Sequence, residues 1–209
     1  MGTKVTDTGG GDFTPAPTGL HRAICIAYVD LGTQEGPKYM CPGQTELKQQ
    51  VVIMWETPDE TIEIDGQQKP FVIAKFYTKS IGEKSNLGKD LESWRGQAFT
   101  PEEREGFDLD KILGASCQIN VIHETTKDKK TRAKITAVLP LSKGMAKPKP
   151  SITPWRYDIT ENGQEFPEQL SDGLKKIILK SQEFLNPAKP SVGEDTTNYE
   201  VQYDDEIPF

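Results

Sequence analysis

The chain alternates between two hydrophobic periods. The stretch "HRAICIAYVDLG" is rich in β-branched and aromatic residues and closes on Gly32, which predicts a first strand. A second strand is expected in "LKQQVVIMWETPDE", extended through Trp55 and stopped at Pro58. After the turn signal "EIDGQQK" comes "PFVIAKFYTKS", with Phe71, Ile73 and Tyr77 on one face and Val72, Ala74 and Phe76 on the other. Apolar groups on both faces imply a sheet curled around a core, with a second working surface outside, as in a small barrel.

The period then lengthens. In "SNLGKDLESWRG", Leu87, Leu91 and Trp94 recur at helical spacing, Ser85 is placed to cap the helix and Gly96 to stop it. In "FTPEEREGFDLDKILG", Thr100, Pro101 and Glu103 spell a capping box, and Leu109, Ile112 and Leu113 lead into Gly114. Two further strands, "SCQINVIHETT" and "RAKITAVLPLS", flank the basic turn "KDKKT". Beyond a Lys/Pro-rich connector, "WRYDITENGQEF" reads as a hairpin turning at Asn162-Gly163. "DGLKKIILKSQEFL" reads as one amphipathic helix carrying Leu174, Ile177, Ile178 and Leu185 on one side, to pack on the sheet or on a second copy in a homodimer.

Three strands, a helical insertion and two strands is the order of an OB-fold, a mainly β, five-stranded Greek-key barrel with its helix between strands 3 and 4. The expected division is a flexible arm over 1–18, the barrel over 19–142, a linker over 143–152, a C-terminal hairpin and helix over 153–186, and a disordered acidic tail over 187–209.

Composition narrows the function classes. No apolar run approaches a membrane span and the first residues lack the apolar stretch of a secretory signal, so the expectation is a soluble protein of the cytoplasm. Cys25, Cys41 and Cys117 are odd in number and widely spaced, which argues against a disulfide framework. With His21 and His123 they show no paired metal-ligand spacing, so no metal or cofactor is expected. No phosphate loop, nucleophile elbow or helical His-Glu-x-x-His is present, and Glu63 and Asp65 read as a solvated turn rather than a nuclease centre, so a non-enzyme is expected. The net charge of −7 is concentrated at one end: Glu194, Asp195, Glu200, Asp204, Asp205 and Glu206 follow Pro190 with no Lys or Arg among them. Set against 25 bases, the remaining acids leave the body nearly neutral, with cations free to gather on one face.

The chain ends "DDEIPF". Acids followed by a terminal apolar trio offer a partner an aromatic ring, a stiffened backbone and a free carboxylate together. Asp204, Asp205, Glu206, Ile207, Pro208 and Phe209 resemble the tail of bacterial and phage single-stranded DNA-binding proteins, commonly Asp-Asp-Asp-Ile-Pro-Phe, with one acid exchanged for another. The block "YTKSIGEKSNLGKDLESWRGQAFT" is similar to a stretch in phage-encoded proteins of that kind. The resemblance implies a partner-binding tail that recruits replication, repair and recombination enzymes in a bacterial host cell.

A single-strand binder needs aromatic faces for bases and cations along the phosphates. The expected set joins Trp55, Phe71, Phe76 and Tyr77 with Lys48, Lys69, Lys75 and Lys79, while Lys127, Lys129, Lys130 and Arg132 close the groove from the last hairpin. Tyr77 ranks first, because it shares a parity with Lys75 and Lys79. About half of these aromatics are expected in the barrel core, and Trp94 and Phe99 read as packing residues. The alternative is an adaptor or decoy that uses the tail to occupy host enzymes without binding DNA.

Overall fold

The computed structural model describes residues 14–38, 40–64, 66–126 and 129–185. The first 13 residues of the expected arm and the whole acidic tail lie outside them. Six strands form one sheet: β1 (Gly19–Pro37), β2 (Thr45–Ile64), β3 (Gln67–Thr78), β4 (Ser116–Thr125), β5 (Thr131–Pro140) and β6 (Trp155–Tyr157). Their order is β3-β2-β1-β4-β5, antiparallel throughout, with β6 added parallel to β1. The end strands β3 and β5 lie in contact, although the hydrogen-bonded path among the described residues is open between them. Between β3 and β4 lie α1 (Asn86–Arg95), α2 (Pro101–Glu105) and a 3-10 turn, Leu109–Ile112. No helix among the described residues is long and apolar enough to cross a membrane.

The two central strands run longer than their sequence punctuation suggests. Gly32 bulges rather than closing β1, and β2 passes Pro58 through an irregularity between Thr57 and Thr61 before resuming its pairing with β3. Gly32 takes φ +71°, and a Cβ there would lie 2.6 Å from Glu183 and 2.8 Å from both Ile159 and Ser181. Glycine at this position therefore serves both the left-handed backbone and the close approach of the C-terminal segment.

Local chemistry explains the helices. Ser85 Oγ accepts from the Gly88 N–H, and Gly96 ends α1 at φ +70° with its N–H returned to Glu92 and Ser93. Thr100 and Glu103 form the reciprocal capping box of α2. Leu87, Leu91 and Trp94 bury one side of α1 into a core with Ala23, Cys25, Val51, Ile53, Trp55, Ile73, Tyr77 and Ile119.

A second core sits on the opposite face of the sheet. Val29, Leu31 and Val52 meet Tyr157, Ile159, Leu170, Leu174 and Ile178. The region read as a hairpin is instead β6 followed by α3 (Ile159–Asn162), because Asp158 caps the helix from Thr160 N–H and Gly163 ends it. The expected single C-terminal helix is two, α4 (Asp172–Ile178) and α5 (Gln182–Leu185), with a bend that drops Ser181 to full burial beside β1. Leu185, expected on the apolar side, is exposed. The segment 143–152, expected as a Lys/Pro linker, is bonded to the sheet: Ser151 donates its N–H (2.9 Å) and hydroxyl (2.5 Å) to the buried Glu56, and Arg22 donates to the Ala146 carbonyl at 2.9 Å.

Glu183 latches α5 to β1, accepting from the Thr33 N–H at 2.8 Å and its hydroxyl at 2.7 Å. Burial alone would raise its carboxyl, but the Thr33 bonds outweigh that and hold it below the ordinary range. A lowered folded value means that the latch contributes fully above the ordinary glutamate range and is lost as pH falls through the folded value. Denaturation midpoints measured between neutral pH and about pH 3 should therefore fall less steeply for Glu183→Gln than for the native chain. Gly32→Ala should lower stability at every pH, by at least ~1–2 kcal/mol from backbone strain alone, measured by urea denaturation.

Candidate nucleic-acid interface

The two faces of β2 and β3 have different fates, which separates the expected aromatic set into three inner residues and one outer. On the inner face Tyr77 is 2% exposed and Trp55 fully buried, and Phe71 packs against the same core. The Tyr77 hydroxyl donates to Asp90 Oδ2 of α1 at 2.6 Å, and Lys75 Nζ donates to the same oxygen at 2.6 Å. Burial, reinforced by the Asp90 charge, pushes the Tyr77 phenol well above its ordinary pKa. The first-ranked stacking residue is thus a core residue: the inner face of the sheet had to be packed, and Asp90 satisfies its hydroxyl. Trp55 is corrected in the same way, its ring 6.0 Å from that of Trp94. Trp94 and Phe99 are packing residues, and Trp94 donates its indole N–H to the Ser116 carbonyl at 3.0 Å.

Cross-strand register builds the outer face. Ala74 pairs with Met54, Met54 with Ala27, and Ala27 with Trp155. One step along, Phe76, Val52, Val29 and Tyr157 form the next row. The second row is roofed by α3 to α5, while Met54, Ala74, Phe76 and Trp155 stay partly exposed at the margin of the cover. One row further, Val72 is 50% exposed beside Glu56, and Glu56 is sealed by Ser151. The partly accessible positions of this face are therefore Met54, Ala74, Phe76 and Val72, with Trp155 separated from Met54 by the fully buried Ala27. Phe76 is the one expected aromatic on it.

The cations sort by partner. Lys79 is bonded to the buried Asp30 at 2.5 Å, and Lys48 to Glu46 at 2.5 Å. Arg132 and Lys134 both grip Glu124, at 2.7 and 2.9 Å, and hold its carboxyl below the ordinary range. Lys75, Lys79, Lys48 and Arg132 thus carry charge that is already partnered, which lowers what each offers a phosphate. Lys69, Lys129 and Lys130 are exposed at the tips of the β2–β3 and β4–β5 hairpins, away from the Asp90 network. Lys127 and the expected partner-binding residues Asp204 to Phe209 lie outside the described residues.

Two elements beside this face were missed by sequence reading. Trp155 was assigned to a hairpin, although "PWRY" sets an aromatic beside a cation after a proline break. Lys147 and Lys149 fall in the expected Lys/Pro linker, and both are exposed on a segment bonded to the sheet at Ala146 and Ser151. A fastened connector presents its charges from fixed positions, which reduces the ordering cost of a phosphate contact. This face and its connector offer stacking surface and cations in the combination that single strands use. No family model matches the chain, and no curated protein matches it.

If this face takes single strands, replacing Trp155 by Ala should weaken oligo(dT) binding by ~1–3 kcal/mol, beyond the loss of stability that follows from its packing on the second core. Tyr77→Phe should lower the denaturation midpoint by the loss of the Asp90 bond and leave oligo(dT) affinity unchanged. Fluorescence titration and urea denaturation of the same two variants check both halves.

Proposed function

We propose that the chain is a sequence-nonspecific single-stranded DNA-binding protein of a phage type, which coats DNA without catalysis and recruits replication, repair or recombination enzymes of a bacterial host cell through its C-terminus. The observation that carries the reading is the ending: a stretch free of Lys and Arg that closes on Asp-Asp-Glu-Ile-Pro-Phe. The strand order β3-β2-β1-β4-β5, with a helix between β3 and β4 and with β3 touching β5, supports an OB-fold body. In such a barrel the outer face of the second and third strands is the usual ligand surface. Here that surface holds Met54, Ala74, Phe76 and Val72, with Trp155 on the far side of Ala27.

On this reading bases stack on Trp155 and Phe76 while Lys147, Lys149 and Lys69 follow the phosphates. Lys129 and Lys130 extend the cationic side from the β4–β5 hairpin. One observation favours the adaptor as second reading: α3 to α5 cover the middle of the outer face, leaving DNA only its margin.

A titration with oligo(dT) separates the two readings. A DNA binder should prefer oligo(dT) to duplex, with affinity falling linearly on a log–log scale as salt rises. Lys147→Ala with Lys149→Ala should reduce that slope by roughly 1.4, about 0.7 for each neutralised phosphate contact. Deleting Phe209 should leave oligo(dT) affinity intact and abolish capture of host enzymes that recognise such tails. Absence of binding at low salt with capture retained would favour the adaptor.

A further inference from the structure

The β2–β3 and β4–β5 hairpins overhang the same end of the sheet. Both β2 and β4 run antiparallel to β1, with Ile24 opposite Glu56 on one side and opposite Ser116 on the other, so their far ends, Ile64 and Thr125, both pass the start of β1. Their charges are segregated. Residues 57–70 hold four acids and one base, whereas residues 124–134 hold five bases and two acids. Part of each set is partnered within the chain: Arg22 grips Asp59 at 2.5 Å, and Arg132 and Lys134 grip Glu124. Glu63, Lys129 and Lys130 are exposed, and Glu60, 3.5 Å from His21 Nδ1, keeps 39% of its side chain in solvent. Between the hairpins Leu20 of β1 and Ile122 of β4 share the outer face at 53% and 42% exposure, and Ile64 is 43% exposed at the acidic tip. Tips of opposite sign on either side of bare apolar side chains make a surface complementary to itself.

We propose that this end of the sheet binds a second copy of the chain, with the acidic hairpin of each protomer against the basic hairpin of the other. The two hairpins stand on opposite sides of β1 in the strand order, so a half-turn about an axis through that end brings both unlike pairs together at once. Such a contact closes on itself and stops at two copies. Leu20 and Ile122 are covered between the hairpins, which adds apolar burial to the charge pairing. A second copy fits this surface better than a nucleic acid does, because the acidic half repels phosphate. The contact is small and mostly charged, so the dimer is weak and screened by salt, whose Debye length falls from about 10 Å at 0.1 M to about 3 Å at 1 M. The inference does not depend on DNA binding. Where a single strand is bound, phosphate and partner compete for Lys129 and Lys130.

The test is sedimentation equilibrium of the full chain and of charge-reversed variants. The native chain should show a monomer–dimer equilibrium at ~0.1 M salt and sediment as a monomer at ~1 M. Glu60→Lys with Glu63→Lys turns the acidic hairpin net basic, and Lys129→Glu with Lys130→Glu turns the basic hairpin net acidic. Each pair of substitutions should raise the dimer dissociation constant by at least about tenfold, because both contacts then join like charges. An equimolar mixture of the two variants should associate again, since every contact in the mixed dimer joins unlike hairpins. A chain carrying all four substitutions should dimerise alone. Recovery in the mixture also shows that both variants are folded. A native chain that stays monomeric at low salt overturns the proposal, as does a mixture that fails to associate. So does a loss confined to the lysine variant, which would put some other acidic segment on those lysines, or growth beyond two copies, which would mark an open head-to-tail contact.

Discussion

Strands β1 and β2 carry apolar side chains on both faces, and water must be kept from both. Every other element of the fold answers to that requirement. On the inner side α1, the 3-10 turn and the curl of β4 and β5 enclose Trp55, Tyr77 and Ile119. On the outer side the chain has no sheet left to use, so the C-terminal segment returns, adds β6 to the free edge of β1 and lays its helices over Val29, Leu31 and Val52. One sheet is thus shared by the residues before and after the connector.

The same requirement decides which aromatic residues are available to a ligand. A side chain on the inner face of β2 or β3 belongs to the core whatever its neighbours in sequence, and a hydroxyl or ammonium there must find an internal partner. Asp90 provides one for both Tyr77 and Lys75, fastening α1 to β3 by a single carboxylate. On the outer face the cover stops one row short of the connector. At that margin packing is incomplete, and Met54, Ala74 and Trp155 remain partly in reach of solvent.

Much of this was legible in the sequence. The two-faced pattern of "PFVIAKFYTKS" assigned each side chain of β3 to its correct face, and the caps of α1 and α2 were written in Ser85, Gly96, Thr100 and Glu103. What escaped was set by contacts between distant residues. Gly32 carries the same turn signal whether it ends a strand or bulges within it, and only the approach of Glu183 and Ser181 decides between them. Asn162-Gly163 is a hairpin signal in isolation, yet three parallel pairs with β1 leave Trp155–Tyr157 already partnered. Parity alone ranked Tyr77 above Phe76, because strand spacing shows which residues share a face but not which face looks inward.

The parallel pairing of β6 with β1 joins one of the earliest strands to one of the last. A ribosome adding about 5–20 residues per second exposes Val29 and Leu31 on the order of ten seconds before the helices that cover them are made. During that interval the nascent chain presents a long strand pair with one bare apolar face, the kind of surface that holdase chaperones bind and that neighbouring nascent chains can pair with. A truncation after residue 142 would make that interval permanent. The order of synthesis, as much as the final packing, therefore sets how cleanly this protein reaches its native state.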